Sequence, residues 1–158
     1  MPDTQGPALA PEERRQIGVA LFNRVWTYLD MADRTREQDD LMIHMAHASR
    51  YHWEECGLGT PVNTARGEWQ VSRVYAVLGR SEPALYHARR CLEICQANGI
   101  GDFDLAYAYE ALARGHAVAG DAEEAQRNAS LAREAGRAIE EDDDRELFES
   151  DMTTLPIR

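Results

Sequence analysis

The densest chemistry in the chain lies between His44 and Cys56, where three of the five histidines, Tyr51, Trp53, Glu54, Glu55 and a thiol fall within one short run. Imidazole, carboxylate and thiolate are the side chains that ligate transition metals, so spacing decides whether this run can be a site. At 100° per residue, His44, His47 and Tyr51 fall within about 60° of one another on a helix, and His52 points some 80° to the other side of His44. His44 and His47 can chelate together, but one helix cannot close the site. A third ligand has to come from elsewhere, and His87 and Glu68 are the candidates. The other reading makes His52 and Trp53 packing residues and His47 a solvated one. A metal-binding helical enzyme built on His44, His47 and His52 is therefore the alternative to a non-catalytic chain.

A second set has a different chemistry. Arg66, Trp69 and Arg73 recur at i, i+3, i+7, so they share one face of a helix, with Gln70 beside them. Tyr107, Glu110 and Arg114 repeat that spacing further along, and Asn23 and Trp26 extend the set towards the N-terminus. Guanidinium groups offer planar, bidentate donors to carboxylates, and aromatic rings bring apolar area at small entropic cost. The set suits an anionic or aromatic-containing segment. The competing reading is structural, with Arg73 paired to Glu110 and Trp69 covering a junction between helices.

Other catalytic patterns are missing. The chain has no lysine, which excludes a Schiff-base lysine and a phosphate-loop lysine. It has no Gly-x-Ser-x-Gly elbow, no His-Glu-x-x-His and no paired Glu-x-x-His. The reading is thus not an enzyme, and no cofactor is expected.

These side chains need helices to position them. The 158 residues suit one domain, and 23 alanines against 7 valines and 6 isoleucines favour helix over strand. Periodicity predicts helices near 12–32, 36–56, 61–78, 82–98, 103–119 and 122–139, with a short one near 142–150. Thr60, Ser81, Asp102 and Asp121 are the expected N-caps, and Gly57, Gly79, Gly99 and Gly120 the expected left-handed residues that close helices. Residues 1–10 read as a disordered arm, 11–150 as the domain, with Glu140 to Asp144 a solvated helix start, and 151–158 as a tail. Cys91 and Cys95, four apart, read as small buried residues on one helix.

An internal repeat organises the helices. A shift of 41 residues lays Ala65, Val71, Ser72, Tyr75, Gly79, Ala84, Ala88 and Cys91 over Ala106, Leu112, Ala113, His116, Gly120, Ala125, Ala129 and Ala132. Large side chains meet large ones, and small meet small. This pattern, with the turn Gly120-Asp121 leading to Glu124-Ala125, resembles the tetratricopeptide repeat, in which two antiparallel helices carry small residues at their crossings and Gly at the turn. The resemblance covers 61–139; before it, Arg24 stands where the pattern wants an apolar residue and the turn 33–40 lacks Gly. The period also exceeds the family's usual length of about 34, as in its longer variants. It implies an all-α solenoid of three helical hairpins plus a short C-terminal helix, whose first helices line a concave groove bearing the arginine and aromatic stripe. A simple up-down bundle is the alternative architecture.

Charge and processing narrow the partners. Seventeen basic against 28 acidic residues give a net charge of -11, which disfavours nucleic acid and anionic membranes. The N-terminus has no secretory pattern, and three cysteines are an odd number, so a cytoplasmic protein with reduced thiols is expected. The expected role is a protein or peptide interaction module, with a homodimer as one form it can take. The basic clamp by which some tetratricopeptide domains hold chaperone C-termini uses lysine, which this chain lacks.

Overall fold

The structure is a computed structural model that describes residues 8–157, and among them there are seven α-helices and no strand. They are α1 (Pro11–Leu29), α2 (Arg36–Glu55), α3 (Pro61–Val77), α4 (Ser81–Ala97), α5 (Asp102–Ala119), α6 (Ala122–Gly136) and α7 (Asp142–Met152). Of the expected arm, residues 1–7 lie outside the described residues.

Local chemistry explains the boundaries. Pro11 opens α1, where its missing N–H costs nothing, and Glu12 and Glu13 complement the helix dipole. Thr35 and Gln38 form a reciprocal capping box at α2, each side chain taking the other's backbone N–H. Helix α1 stops at Leu29, short of the expected 32, because the Arg34 guanidinium takes the carbonyls of Tyr28 and Met31. Two expected caps are displaced by one residue. Arg80 and Gly101, not Ser81 and Asp102, precede the first turns, and Asp102 instead lends Oδ1 to the Glu140 N–H. Thr60 and Asp121 are N-caps, and Asp121 Oδ1 accepts from the Glu124 N–H.

The turns after α3 and α5 are alike. Gly79 and Gly120 have φ of 72° and 79°, which glycine adopts without strain. Arg80 N–H donates to Tyr75 O and Asp121 N–H to His116 O, both at 2.9 Å, the six-to-one bond of a Schellman ending. Every pair matched by the 41-residue shift also has the same burial, with Ala84, Ala88, Ala125 and Ala129 wholly excluded from solvent. These alanines permit close helix approach, and the Ser72 hydroxyl uses it to donate to Ala84 O at 2.8 Å.

Helix α1 packs on α2, α3 on α4 and α5 on α6, and α2 also meets α3 while α4 meets α5. Among the odd-numbered helices, α1 touches α3, α3 touches α5, and α5 touches α7, whereas the backbones of α2, α4 and α6 stay apart within the described residues, and α2 reaches α4 only through side chains such as His47 and His87. One apolar core fills the space between α3 and α7, and a second, around Val25, Met42, Met45, Val71 and Val74, fills the α1–α2–α3 end. Residues 151–157 belong to the packed body. Met152 is buried and Leu155 and Ile157 lie against the larger core.

Candidate functional site

Helices α1, α3, α5 and α7 enclose a cavity of about 640 Å³, within the range of small-ligand sites. Helix α1 supplies Phe22 and Trp26, with Asp30 just past its end. Helix α3 supplies Ala65, Arg66 and Trp69, and α5 supplies Phe103, Asp104 and Tyr107. Asp144, Leu147 and Asp151 of α7 and Cys91 of α4 complete the lining.

The aromatic rings form one continuous wall. Trp26 stacks on Trp69 with centroids 5.5 Å apart, Trp69 meets Tyr107 edge-on at 5.4 Å, and Tyr107 lies 4.6 Å from Phe103. Such geometry places aromatic pairs at their electrostatic optimum. Arg66 lies over the Phe103 ring and is clamped by both oxygens of Asp104, at 2.7 and 3.1 Å. Tyr107 donates its hydroxyl to Asp151 Oδ2 at 2.8 Å, and burial followed by that bond pushes its pKa well above the ordinary phenol value. The Trp69 ring is 9% exposed, and its Nε1–H has no hydrogen-bond partner among the described residues.

The stripe expected from sequence therefore divides. Trp26, Arg66, Trp69 and Tyr107 border the cavity, whereas Gln70, Arg73, Glu110 and Arg114 do not. Glu110 is wholly buried, and its Oε1 receives Arg73 at 3.0 Å and Arg114 at 2.7 Å. Arg114 continues to Asp151 O and to both oxygens of Thr154, and Gln70 donates to Phe22 O. These bonds tie α1, α3, α5 and α7 together behind the cavity. Asn23 is exposed and outside the lining.

Sequence reasoning missed Phe22, Asp30, Phe103, Asp104, Asp144, Leu147 and Asp151. Part of the signal was present: Phe22, Trp26 and Asp30 recur every four residues, and Asp144, Leu147 and Asp151 follow i, i+3, i+7 on α7. Glu140 to Asp143 are exposed, as a solvated helix start requires, but Asp144 is half-buried against the cavity.

The histidine run divides as well. His47 Nε2 lies 2.9 Å from the Tyr75 hydroxyl and its ring 5.5 Å from His87, while His87 Nδ1 lies 2.6 Å from Glu68 Oε2. Arg50 donates to the other Glu68 oxygen at 3.0 Å. Burial pushes the Glu68 carboxyl up, but the His87 hydrogen bond and charge, together with Arg50, hold it below its ordinary value. Desolvation, then the charge of His87, lowers His47. His52 instead lies against Tyr51 near Arg14, and His44 is exposed. Among the described residues no three His, Cys, Asp or Glu side chains are placed to hold one metal ion. His87 and Glu68, the candidates for a third ligand, bond to each other.

Positive charge gathers elsewhere, at an opening of about 560 Å³ between α6 and α7 bordered by Arg133, Arg137 and Arg145. Arg145 is engaged there by Ile139 O and Asp142. All three cysteines are buried free thiols, and no helix of the described residues is long and apolar enough to cross a membrane. Comparison of the chain with protein-family models, curated proteins and solved structures found no match.

Proposed function

We propose that the chain is a tetratricopeptide-like stack of three helical hairpins closed by α7, working in the cytoplasm as a non-catalytic module that binds a segment of a partner protein. The matched burial across the 41-residue shift, the like turns at Gly79 and Gly120, and the contacts of α1 with α3 and α3 with α5 support the repeat architecture. Buried free thiols fit a reducing compartment.

The observation that carries the binding role is the aromatic wall from Trp26 through Trp69 to Tyr107 and Phe103 along a cavity of about 640 Å³. Aromatic anchors in concave sites give most binding free energy for the area they bury. The arginines behind the wall hold the helices in register, and the cavity receives the ligand.

Selection of a displayed random peptide library against the purified chain tests this. Enriched peptides should bind Trp26→Ala and Phe103→Ala about tenfold or more weakly than wild type, with unchanged circular dichroism. Peptides that bind both variants as they bind wild type would remove the cavity from the functional account.

A further inference from the structure

We infer that the ligand of this cavity is cationic: the geometry points to a guanidinium or ammonium group carried on an apolar body with an adjacent carbonyl, as in a peptide that presents arginine or lysine. The inference rests on the cavity being the ligand site, and it reverses the sign suggested by the arginine stripe.

Three observations carry it. The first is charge. Asp30, Asp104, Asp144 and Asp151 border the cavity, with Arg66 the one cationic side chain there among the described residues. Asp104 is taken by Arg66, and Asp151 by the Tyr107 hydroxyl and, at 3.5 Å, by Arg73. Asp30 and Asp144 have no ion-pair partner among the described residues. An anion entering here would meet four carboxylates against one guanidinium, with Asp30 exposed at the rim and Asp144 half-buried within reach of the Arg66 charge, so the net field opposes it.

The second is the chemistry of the walls. An aromatic face attracts cations through its quadrupole, most strongly for indole. The protein already uses this arrangement twice with its own groups: Arg66 lies 5.9 Å from the Phe103 centroid with Asp104 at its edge, and Arg73 lies 6.0 Å from Trp69. A ring beneath a guanidinium and a carboxylate at its side form a cation-binding unit, and Trp26, Asp30 and Asp144 bring the same group types to the border of the cavity with no hydrogen bond from an arginine among the described residues.

The third is the Trp69 Nε1–H, a buried donor without an acceptor on a ring that borders the cavity; the nitrogen itself has no solvent-accessible surface, so a ligand acceptor reaches it only as the ring shifts. A buried donor left unpaired costs about the desolvation of the group, so a ligand carbonyl that satisfies it gains selectivity. A bare cation has no acceptor to offer. A basic residue within a peptide has both groups.

Three capped pentapeptides test the inference by calorimetry: Gly-Leu-Arg-Leu-Gly, the same sequence with uncharged, isosteric citrulline, and the same with glutamate. At about 50 mM salt the arginine peptide should bind at least tenfold tighter than the citrulline peptide, and glutamate should bind weakest. The arginine preference should shrink at least threefold in Asp144→Asn and in Asp30→Asn, and shrink as salt rises to about 500 mM. N-acetylarginine amide separates the sources of the cation: affinity close to that of the peptide assigns a free small cation, and much weaker affinity assigns a side chain presented by a protein, either supporting the charge assignment. Equal binding of arginine and citrulline, tighter binding of glutamate, or a preference unchanged in both Asp variants would overturn it. If the uncharged or acidic peptide wins and Trp26→Ala still weakens it, the cavity stands and only the charge assignment fails. If no peptide binds, or Trp26→Ala leaves every affinity unchanged, both fail.

Discussion

The two ends of one helical stripe on α3 meet opposite fates. At its C-terminal end, Arg73 reaches across to Glu110, which is wholly buried and also receives Arg114, so the charges close on one another. At its N-terminal end, Arg66 and Trp69 stand beside an opening, and Arg66 keeps half its side chain in solvent while gripping Asp104. The residue types are the same, and i, i+3, i+7 spacing cannot tell them apart. The difference comes from α7. Its last turn and the residues just after it bring Asp151 and Thr154 onto Arg73, Tyr107 and Arg114, whereas its first turn leaves Asp144 at the rim of the cavity. An arginine in such a stripe is closed into the body or left at the rim of a cavity according to what a distant helix lays over it.

The largest effect that would sharpen this contrast is at the closed end. Arg114→Ala removes one of two partners of a buried carboxylate and should cost about 3 kcal/mol in urea unfolding, the lower end of the range for broken buried pairs because Arg73 remains. A loss below about 1 kcal/mol would mean that the network is not what holds α5 to α7. Next come the close helix crossings. Ala84→Leu and Ala125→Leu each overpack a site with no exposed surface and should each cost roughly 1–3 kcal/mol. One costly and one neutral substitution would break the equivalence that the 41-residue shift assigns to these two positions.

At the open end Arg66→Ala should cost less than about 1 kcal/mol, since its ion pair is exposed on the arginine side. An effect as large as that at Arg114 would erase the contrast between the ends.

The smallest effect lies on the opposite face of α3, among His47, Tyr75, His87 and Glu68. His47 is held below its ordinary value in the fold, so the unfolded chain takes up its proton more readily. Stability is then full above about pH 6.5 and declines as pH falls below it, while the contribution of Glu68, whose pKa is also lowered, persists to more acidic pH. The His47 NMR titration should have its midpoint below 6.5, and His47→Gln should flatten part of the fall in melting temperature between pH 7.5 and 5.5. A midpoint above 6.5 would contradict the assigned environment.

Much of the helical framework was legible because local rules decide it. Gly79 and Gly120 mark their turns by a conformation that side chains resist, and Ala84 and Ala125 mark crossings by their size. The site was legible only in part. Trp69 and Tyr107 announce a stripe, but the sign of the charge around them depends on Asp104, Asp144 and Asp151, and the last two arrive from α7, far along the chain. Likewise the i, i+3 pair His44 and His47 shares a helix face by arithmetic and both are exposed, yet His47 bonds to the Tyr75 hydroxyl and His44 has no such bond among the described residues. Tertiary neighbours that no local spacing encodes made those choices.

The three tryptophans allow the central claim to be measured directly. Trp26 and Trp69 border the cavity, and Trp53 lies apart, against Gly18 and Gly59. Titration of the ¹⁵N-labelled chain with the capped Gly-Leu-Arg-Leu-Gly peptide should shift the indole N–H signals of Trp26 and Trp69 saturably, the Trp69 signal moving as its Nε1–H gains an acceptor, and leave Trp53 in place. Indole signals of Trp26 and Trp69 that stay fixed at saturating peptide, whether or not Trp53 moves, would contradict the account.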